Sequence, residues 1–261
     1  VTSVDKHREV HRVGIVVPTM GDRPEYLKEC IDSIRNNGHP YIIVVRPFTR
    51  SKIDTNLVGL VDEILDDPLS GLAAAINFGI LHFPPEISFC SWIGDDDRLT
   101  NNSLRKSSQI LHDSDEVVCV FGQCQYIGPF GENIWLNRSG EWAVPLMRIG
   151  PQLVPQPGSL FKRASFIKVG QLDETLKWAF DLDLFLKLRR EGRFSFLAEP
   201  VANFRWHPGS LTVGSRDGSI REASYVRKSH LPYFISKVSF LWEPVMRKLI
   251  LRAGGYISSK M

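Results

Sequence analysis

Phe89-Cys90-Ser91-Trp92-Ile93-Gly94-Asp95-Asp96-Asp97 runs from an apolar stretch into three adjacent carboxylates. The stretch reads as a buried strand, so the triplet places concentrated negative charge at a sheet edge. Adjacent carboxylates raise one another's pKa unless something positive compensates them. A divalent cation with hard oxygen ligands is one answer. A solvated acidic turn is the other, because Asp is common in turns. The flanking segments decide between them.

Val13-Gly14-Ile15-Val16-Val17, ended by Pro18, is another continuous apolar run and predicts a strand buried on both faces. Asp22-Arg23-Pro24-Glu25 then reads as a capping box, with Asp22 as N-cap and Glu25 reaching back. Tyr26, Leu27, Cys30, Ile31 and Ile34 follow at helical spacing. Further strands are expected at Tyr41 to Val45 and Val61 to Leu65, and helices at Ala73 to His82 and Ser103 to His112. Such alternation implies a mostly parallel sheet with helices on both faces, a Rossmann-like α/β architecture. Ligands of these sheets bind at the carboxyl ends of strands. Pro18-Thr19, Arg46-Pro47 and Asp95-Asp96-Asp97 all fall there and are expected to share one cleft.

The second half reads differently. Val117 to Tyr126 predicts a strand, and Pro145, Pro151, Pro155 and Pro157 an irregular structured loop. A short strand at Ser159 to Lys162 and a short helix at Ala164 to Val169 follow. A helix is expected over Asp181 to Glu191, a strand over Phe194 to Leu197, and a polar, mobile stretch over Gly209 to Ser224.

Composition excludes several classes. Of 261 residues, 43% are hydrophobic and 23% charged, ordinary values for a globular protein. Residues 216–261 hold nine Lys/Arg against three Asp/Glu (+6), while the remainder holds 23 against 26 (−3). A near-neutral body with a basic tail is not a nucleic-acid-binding profile. No apolar run is long enough to span a membrane. Cys30, Cys90, Cys119 and Cys124 lack CxxC spacing and read as buried thiols of a reducing, cytoplasmic compartment, and the polar N-terminus shows no signal peptide.

The ordered motifs resemble the family 2 glycosyltransferases of GT-A fold over roughly residues 12 to 215. The matching stretches begin with Val16-Val17-Pro18-Thr19, Gly71 to Gly79 and Trp92-Ile93-Gly94-Asp95-Asp96-Asp97. Pro155 to Arg163, Trp178 to Leu188 and Phe204 to Thr212 complete them. The resemblance implies a nucleoside-diphosphate-sugar donor, a carbohydrate or lipid-linked acceptor and a Mn²⁺ or Mg²⁺ ion. It also implies a donor-binding half at 12–100, and an acceptor half with a lid at 101–230.

By the same resemblance Asp96, Asp97 and His207 are the metal candidates. Pro18, Thr19, Arg23, Arg46, Asp67, Gly71, Asn77, Asp95 and Asp96 are the donor-binding candidates. Gly94 stands where the family's motif has its first Asp, which leaves the roles of the three aspartates open. Asp181 is the expected base for the acceptor hydroxyl; the bland alternative is that it N-caps its helix. His207 is otherwise a packed histidine beside Trp206. Gly209 to Ser224 would be the lid, with Arg216 or Arg221 reaching the phosphates.

Pro244 divides residues 231–261 into two amphipathic helical pieces that combine aromatic and basic residues. This segment suits the inner face of a membrane, its own domain or a second subunit in a homodimer. Two other functions fit parts of the pattern. A nucleotidyltransferase would need a better phosphate loop than Pro18 to Arg23, and a catalytically inactive carbohydrate-binding relative would not need the retained acids.

Overall fold

In the computed structural model, residues 12–48, 59–67, 70–207, 209 and 216–259 are described. Strands β1 (Val13–Pro18), β2 (Tyr41–Arg46), β3 (Glu63–Asp66) and β4 (Phe89–Trp92) are parallel, in the spatial order β3-β2-β1-β4. The chain winds from β1 out to β3 and then returns to the other side of β1. The winding therefore reverses between β1 and β4, which opens a crevice at their carboxyl ends.

Both faces of this half are covered, as the unbroken apolar strands require. Val13, Ile15 and Val17 point to one face, against Leu27, Cys30, Ile31 and Ile34 of α1 (Pro24–Arg35). Val16, with Ile43 and Val45, points to the other, against Ala73, Ile76 and Ile80 of α2 (Leu72–His82). Each such fully buried side chain stabilises the fold by about 1.5–3 kcal/mol. Gly79 lets α2 approach this closely, because a Cβ there would meet Val16 Cγ1 at 2.7 Å.

Strand β8 (Leu160–Lys162) pairs antiparallel with β4 and with β6 (Val117–Ile127), joining the halves into one nine-stranded sheet. Beyond it β9 (Arg193–Arg205) runs parallel to β6, while β5 (Arg98–Leu99) and β7 (Asn133–Asn137) add short antiparallel edges. Helices α3 (Ser103–Asp113), α4 (Ala143–Leu146), α5 (Arg163–Lys168) and α6 (Phe180–Leu188) follow these strands. The chain ends in α7 (Arg216–His230), α8 (Tyr233–Lys237), a 3₁₀ turn (Ser239–Leu241) and α9 (Glu243–Ser258). The four cysteines are free and buried.

Three expectations change. The capping box does not form: Arg23 is the N-cap of α1, without a side-chain cap bond, and Pro24 follows at the first turn. Strand β9 runs to Arg205 rather than stopping at Leu197. Its middle, Glu199-Pro200, breaks the apolar pattern because the ladder with β6 shifts register beside Gln123, where Pro200 needs no N–H partner. Residues 216–224, read as polar loop, form the first part of α7, and most of the remaining expected lid (210–215) lies outside the described residues.

Candidate active site

The winding reversal sets Pro18-Thr19 beside the acidic triplet. Thr19 Oγ1 donates to Asp95 Oδ2 at 2.5 Å. Arg23 spans two carboxylates, Nη2 donating to Asp95 Oδ1 and Nη1 to Asp96 Oδ2, each at 2.9 Å. That claim on its side chain and its place at the helix start explain the failed capping box. His207, just past β9, brings Nε2 to 2.7 Å from the same Asp96 oxygen. Its Nδ1 accepts the Gly209 N–H at 3.2 Å, and its Nε2 also lies 3.1 Å from Arg23 Nη1.

Burial pushes the Asp95 carboxyl above the usual range, against the Thr19 hydrogen bond and the Arg23 charge. Burial alone would lower the Arg23 pKa, but Asp95 and Asp96 together hold it above its ordinary value. The cluster is thus a negative site with a guanidinium drawn into it. Gly94 has a clear steric reason here, since a Cβ at that position would lie 2.8 Å from Asp96 Oδ1.

Asp97 is not brought into this group. It is buried, and its Oδ1 accepts the Arg205 backbone N–H at 2.8 Å. Burial first, and then Asp96, push its pKa well above the usual carboxylate range. Arg205 itself is buried and ties the region together. Its Nε donates to the Asp96 carbonyl at 2.9 Å, Nη1 to the Pro129 carbonyl at 2.8 Å and Nη2 to Glu29 at 2.6 Å. Its guanidinium carbon sits 4.2 Å from the centre of the Tyr26 ring. Arg205 therefore fixes the backbone from which Asp96 projects.

The donor set suits a hard divalent cation in a limited way. Among the described residues no group of three or more His, Cys, Asp or Glu has the arrangement of a metal site. Asp96 and His207 nevertheless converge on one point. Two protein ligands are enough where phosphate oxygens complete the shell, as Mg²⁺-type sites commonly do. Arg23 would have to yield part of its contact.

Asp181 lies in the second half of the chain. It is not an N-cap: Ala179 holds that position, and Asp181 is the second residue of α6. Its Oδ2 accepts Gln152 Nε2–H at 2.8 Å and its Oδ1 the Leu182 N–H at 2.7 Å. Burial outweighs both bonds and raises its pKa from 3.8 to about 6. Two contacts tie it to the acidic strand. Phe180 packs on Trp92 at 6.3 Å between ring centres, and Gln156 Nε2 donates to the Trp92 carbonyl at 2.8 Å. Asp183, on another face of α6, is engaged at 2.7 Å by His230 and at 2.6 Å by Lys187. Burial opposes them, yet these partners hold its pKa below the ordinary value.

Other candidates fall elsewhere. Asn77 is buried in α2; its Nδ2 donates to the Leu172 carbonyl at 3.0 Å and its Oδ1 accepts the Leu172 N–H at 3.1 Å. It fastens two segments of chain and does not reach the crevice cluster. Gly71 is the N-cap of α2 with φ of 105°, a backbone that glycine adopts without strain. Arg46 and Asp67 sit at the ends of β2 and β3, where the Asp67 N–H donates to the Arg46 carbonyl at 2.6 Å. Arg221 is exposed on α7.

Glu222 of α7 has a role that no local pattern announced. Its carboxylate accepts the N–H groups of Lys177, Trp178 and Ala179 at 2.5–2.9 Å, and so holds the turn that leads into Asp181. Gln152 escaped notice for the same reason: both act across long sequence separations. Arg205 did leave a signal, as an unexplained charge in the apolar run Phe204-Arg205-Trp206.

A parallel sheet with its acidic cluster at the winding reversal, continued by a second half of mixed strands, is the GT-A fold of glycosyltransferases. The comparisons agree. The chain is 25% identical over 211 residues to an uncharacterized glycosyltransferase of Rickettsia typhi, covering 77% of this chain and 65% of the relative. A Rickettsia prowazekii protein of the same description matches equally. The chain thus spans about 65% of the length of the curated relatives it matches. Among solved structures, S. aureus TarS 1–349 superposes with a TM-score of 0.62 at 14% identity, covering 89% of this chain and 71% of that one. The mannosyltransferase PcManGT from Pyrobaculum calidifontis, in complex with GDP-Man and Mn²⁺, gives 0.62 at 12% identity, covering 94% and 73%. No family model matches the chain.

Proposed function

We propose that this chain is a metal-assisted, inverting glycosyltransferase that moves a sugar from a nucleoside diphosphate to an acceptor hydroxyl. One observation carries the reading: Thr19, Arg23, Asp95, Asp96 and His207 meet at the β1/β4 switch point, with Asp181 presented from the adjoining half. Asp96 and His207 would hold a Mn²⁺ or Mg²⁺ ion, which supplies Lewis-acid stabilisation of a diphosphate leaving group. The Mn²⁺ of the Pyrobaculum structure supports that assignment. In this reading Asp95, pinned by Thr19, would accept from the donor's ribose hydroxyls, and Arg46 or Asp67 would meet the base.

Asp181 takes the proton of the acceptor hydroxyl as that oxygen bonds to the anomeric carbon. The bond from that carbon to the phosphate oxygen breaks, and the nucleoside diphosphate leaves. A single displacement of this kind inverts the anomeric centre. A pKa near 6 leaves Asp181 ionised at neutral pH while keeping it more basic than a solvated carboxylate. Gln152 orients it. The groove beside Gln152, lined by Trp135, Trp142, Leu153 and Asn137, offers aromatic faces to an acceptor sugar.

Thermal-shift measurements with UDP, dTDP and GDP, each with and without Mn²⁺, test the donor end. At least one nucleotide is expected to raise Tm only with the metal present. No response to any of the three would oppose the reading.

A further inference from the structure

We propose that α8, the 3₁₀ turn and α9 form a docking surface for an anionic lipid bilayer. These helices are tied to the protein by a few polar contacts and leave much of their apolar surface open to solvent. On the inner side, Glu243 accepts from Ser224 Oγ at 2.6 Å and pairs with Lys228 at 2.9 Å. At the exposed rim Arg247 pairs with Asp217 at 2.9 Å, and Trp206 Nε1 donates to Ser258 Oγ at 3.2 Å. The pieces are therefore anchored to α7 and to the residue next to His207. On the outer side, Phe234 is 81% exposed, Leu241 67% and Phe240 64%, with Tyr233, Leu249 and Tyr256 also open. Such a concentration of exposed aromatic and aliphatic residues exceeds the scattered apolar surface of an ordinary monomer.

Charge selects the occupant. Lys237, Lys248 and Arg252 are exposed among these apolar residues, and Glu243, the acid within α8 to α9, is turned inward. A second observation adds to this. Arg148, Arg189 and Arg190 cluster at the border of the surface, and among the described residues no carboxylate pairs with them. Burial and the charges of Arg148 and Arg190 depress the Arg189 pKa, and its Nη1 has no hydrogen-bond partner. The cluster joins the helices directly. Arg190 Nη2 donates to the His230 carbonyl at 3.4 Å, just before α8, and a Cβ on Gly150 would lie 3.6 Å from Met246 Cε. Apolar side chains flanked by unpaired cations match acyl chains beneath anionic headgroups. Asp217, an exposed acid against α9, is already paired with Arg247, so the arginines are left to an anionic occupant, which lipid headgroups supply.

The surface is independent of the donor chemistry, so its test needs no substrate. The chain is to be sedimented with vesicles of phosphatidylcholine alone and of phosphatidylcholine with phosphatidylglycerol, at low and high salt. Binding is expected to the anionic vesicles only and to weaken with salt. Phe234→Ser with Leu241→Ser is expected to lower partitioning about tenfold or more per residue. Arg148→Gln with Arg190→Gln should lower it about fivefold per charge. Circular dichroism and light scattering on each variant report fold and oligomeric state. Three results would overturn the proposal: no pelleting of the parent chain with anionic vesicles, folded variants that pellet like the parent, or a dimer that the Phe234→Ser and Leu241→Ser changes dissociate.

Discussion

Asp181→Asn is expected to make the protein more stable while removing its activity, and only above a definite pH. The native carboxyl has a pKa of about 6, raised from 3.8 chiefly by burial. Between these values the folded state binds more protons than the unfolded chain, so stability falls as pH rises through the window. Above about pH 6 the full cost applies, roughly 3 kcal/mol for two pKa units. Asp181 keeps some solvent exposure, and asparagine must re-form the bonds to Gln152 and the Leu182 N–H, so about 1–3 kcal/mol is the expected gain. Urea unfolding of both proteins at about pH 4 and about pH 8 measures it. The variant should be more stable at the higher pH and nearly equal at the lower. Burial raises Asp95 and Asp97 as well, but they are present in both proteins and cancel in the difference. An equal or less stable variant at about pH 8, or a difference that ignores pH, would refute the assignment of a charged, desolvated base.

Three further outcomes follow from named contacts. Gly94→Ala places a Cβ against Asp96 Oδ1, and Mn²⁺-dependent nucleotide binding, read by calorimetry, should weaken about 10–100-fold with the fold intact. Asn77→Ala breaks the bonds to Leu172 and should cost about 1–3 kcal/mol in urea unfolding while leaving nucleotide affinity unchanged, as befits a fastener. Glu222→Gln weakens the hold on residues 177–179. It should lower kcat severalfold without changing nucleotide affinity, and a parallel loss of affinity would contradict a role confined to the Asp181 turn.

The first half of the chain was the more legible part of the fold. Strands buried on both faces have no polar alternation to confuse the reading, and β1, β2 and β4 lie within a residue of their expected bounds. The order of strands then dictates where Thr19 and Asp95 to Asp97 meet. The second half was harder because its strands are held by pairing across distance. Strand β9 continues through Glu199-Pro200 only because β6 shifts register to accept it. Side-chain direction was likewise hidden. Asp96 and Asp97 are indistinguishable as letters, yet one faces His207 and the other the Arg205 backbone. Asn77 sits in the Gly71 to Gly79 stretch that suggested a donor role but spends its amide on Leu172. Glu222 and Gln152 work over separations of 43 to 45 and 29 residues, beyond any local pattern.

The most direct test of the central claim separates donor binding from transfer in two variants. With the nucleotide sugar identified by thermal shift and Mn²⁺ present, nucleoside diphosphate release and nucleotide affinity are measured for the parent chain, Asp96→Ala and Asp181→Asn. The expected result is that Asp96→Ala loses nucleotide affinity, whereas Asp181→Asn binds like the parent and releases product at least about a hundredfold more slowly. Undiminished release by Asp181→Asn, or undiminished Mn²⁺-dependent affinity in Asp96→Ala, would contradict it.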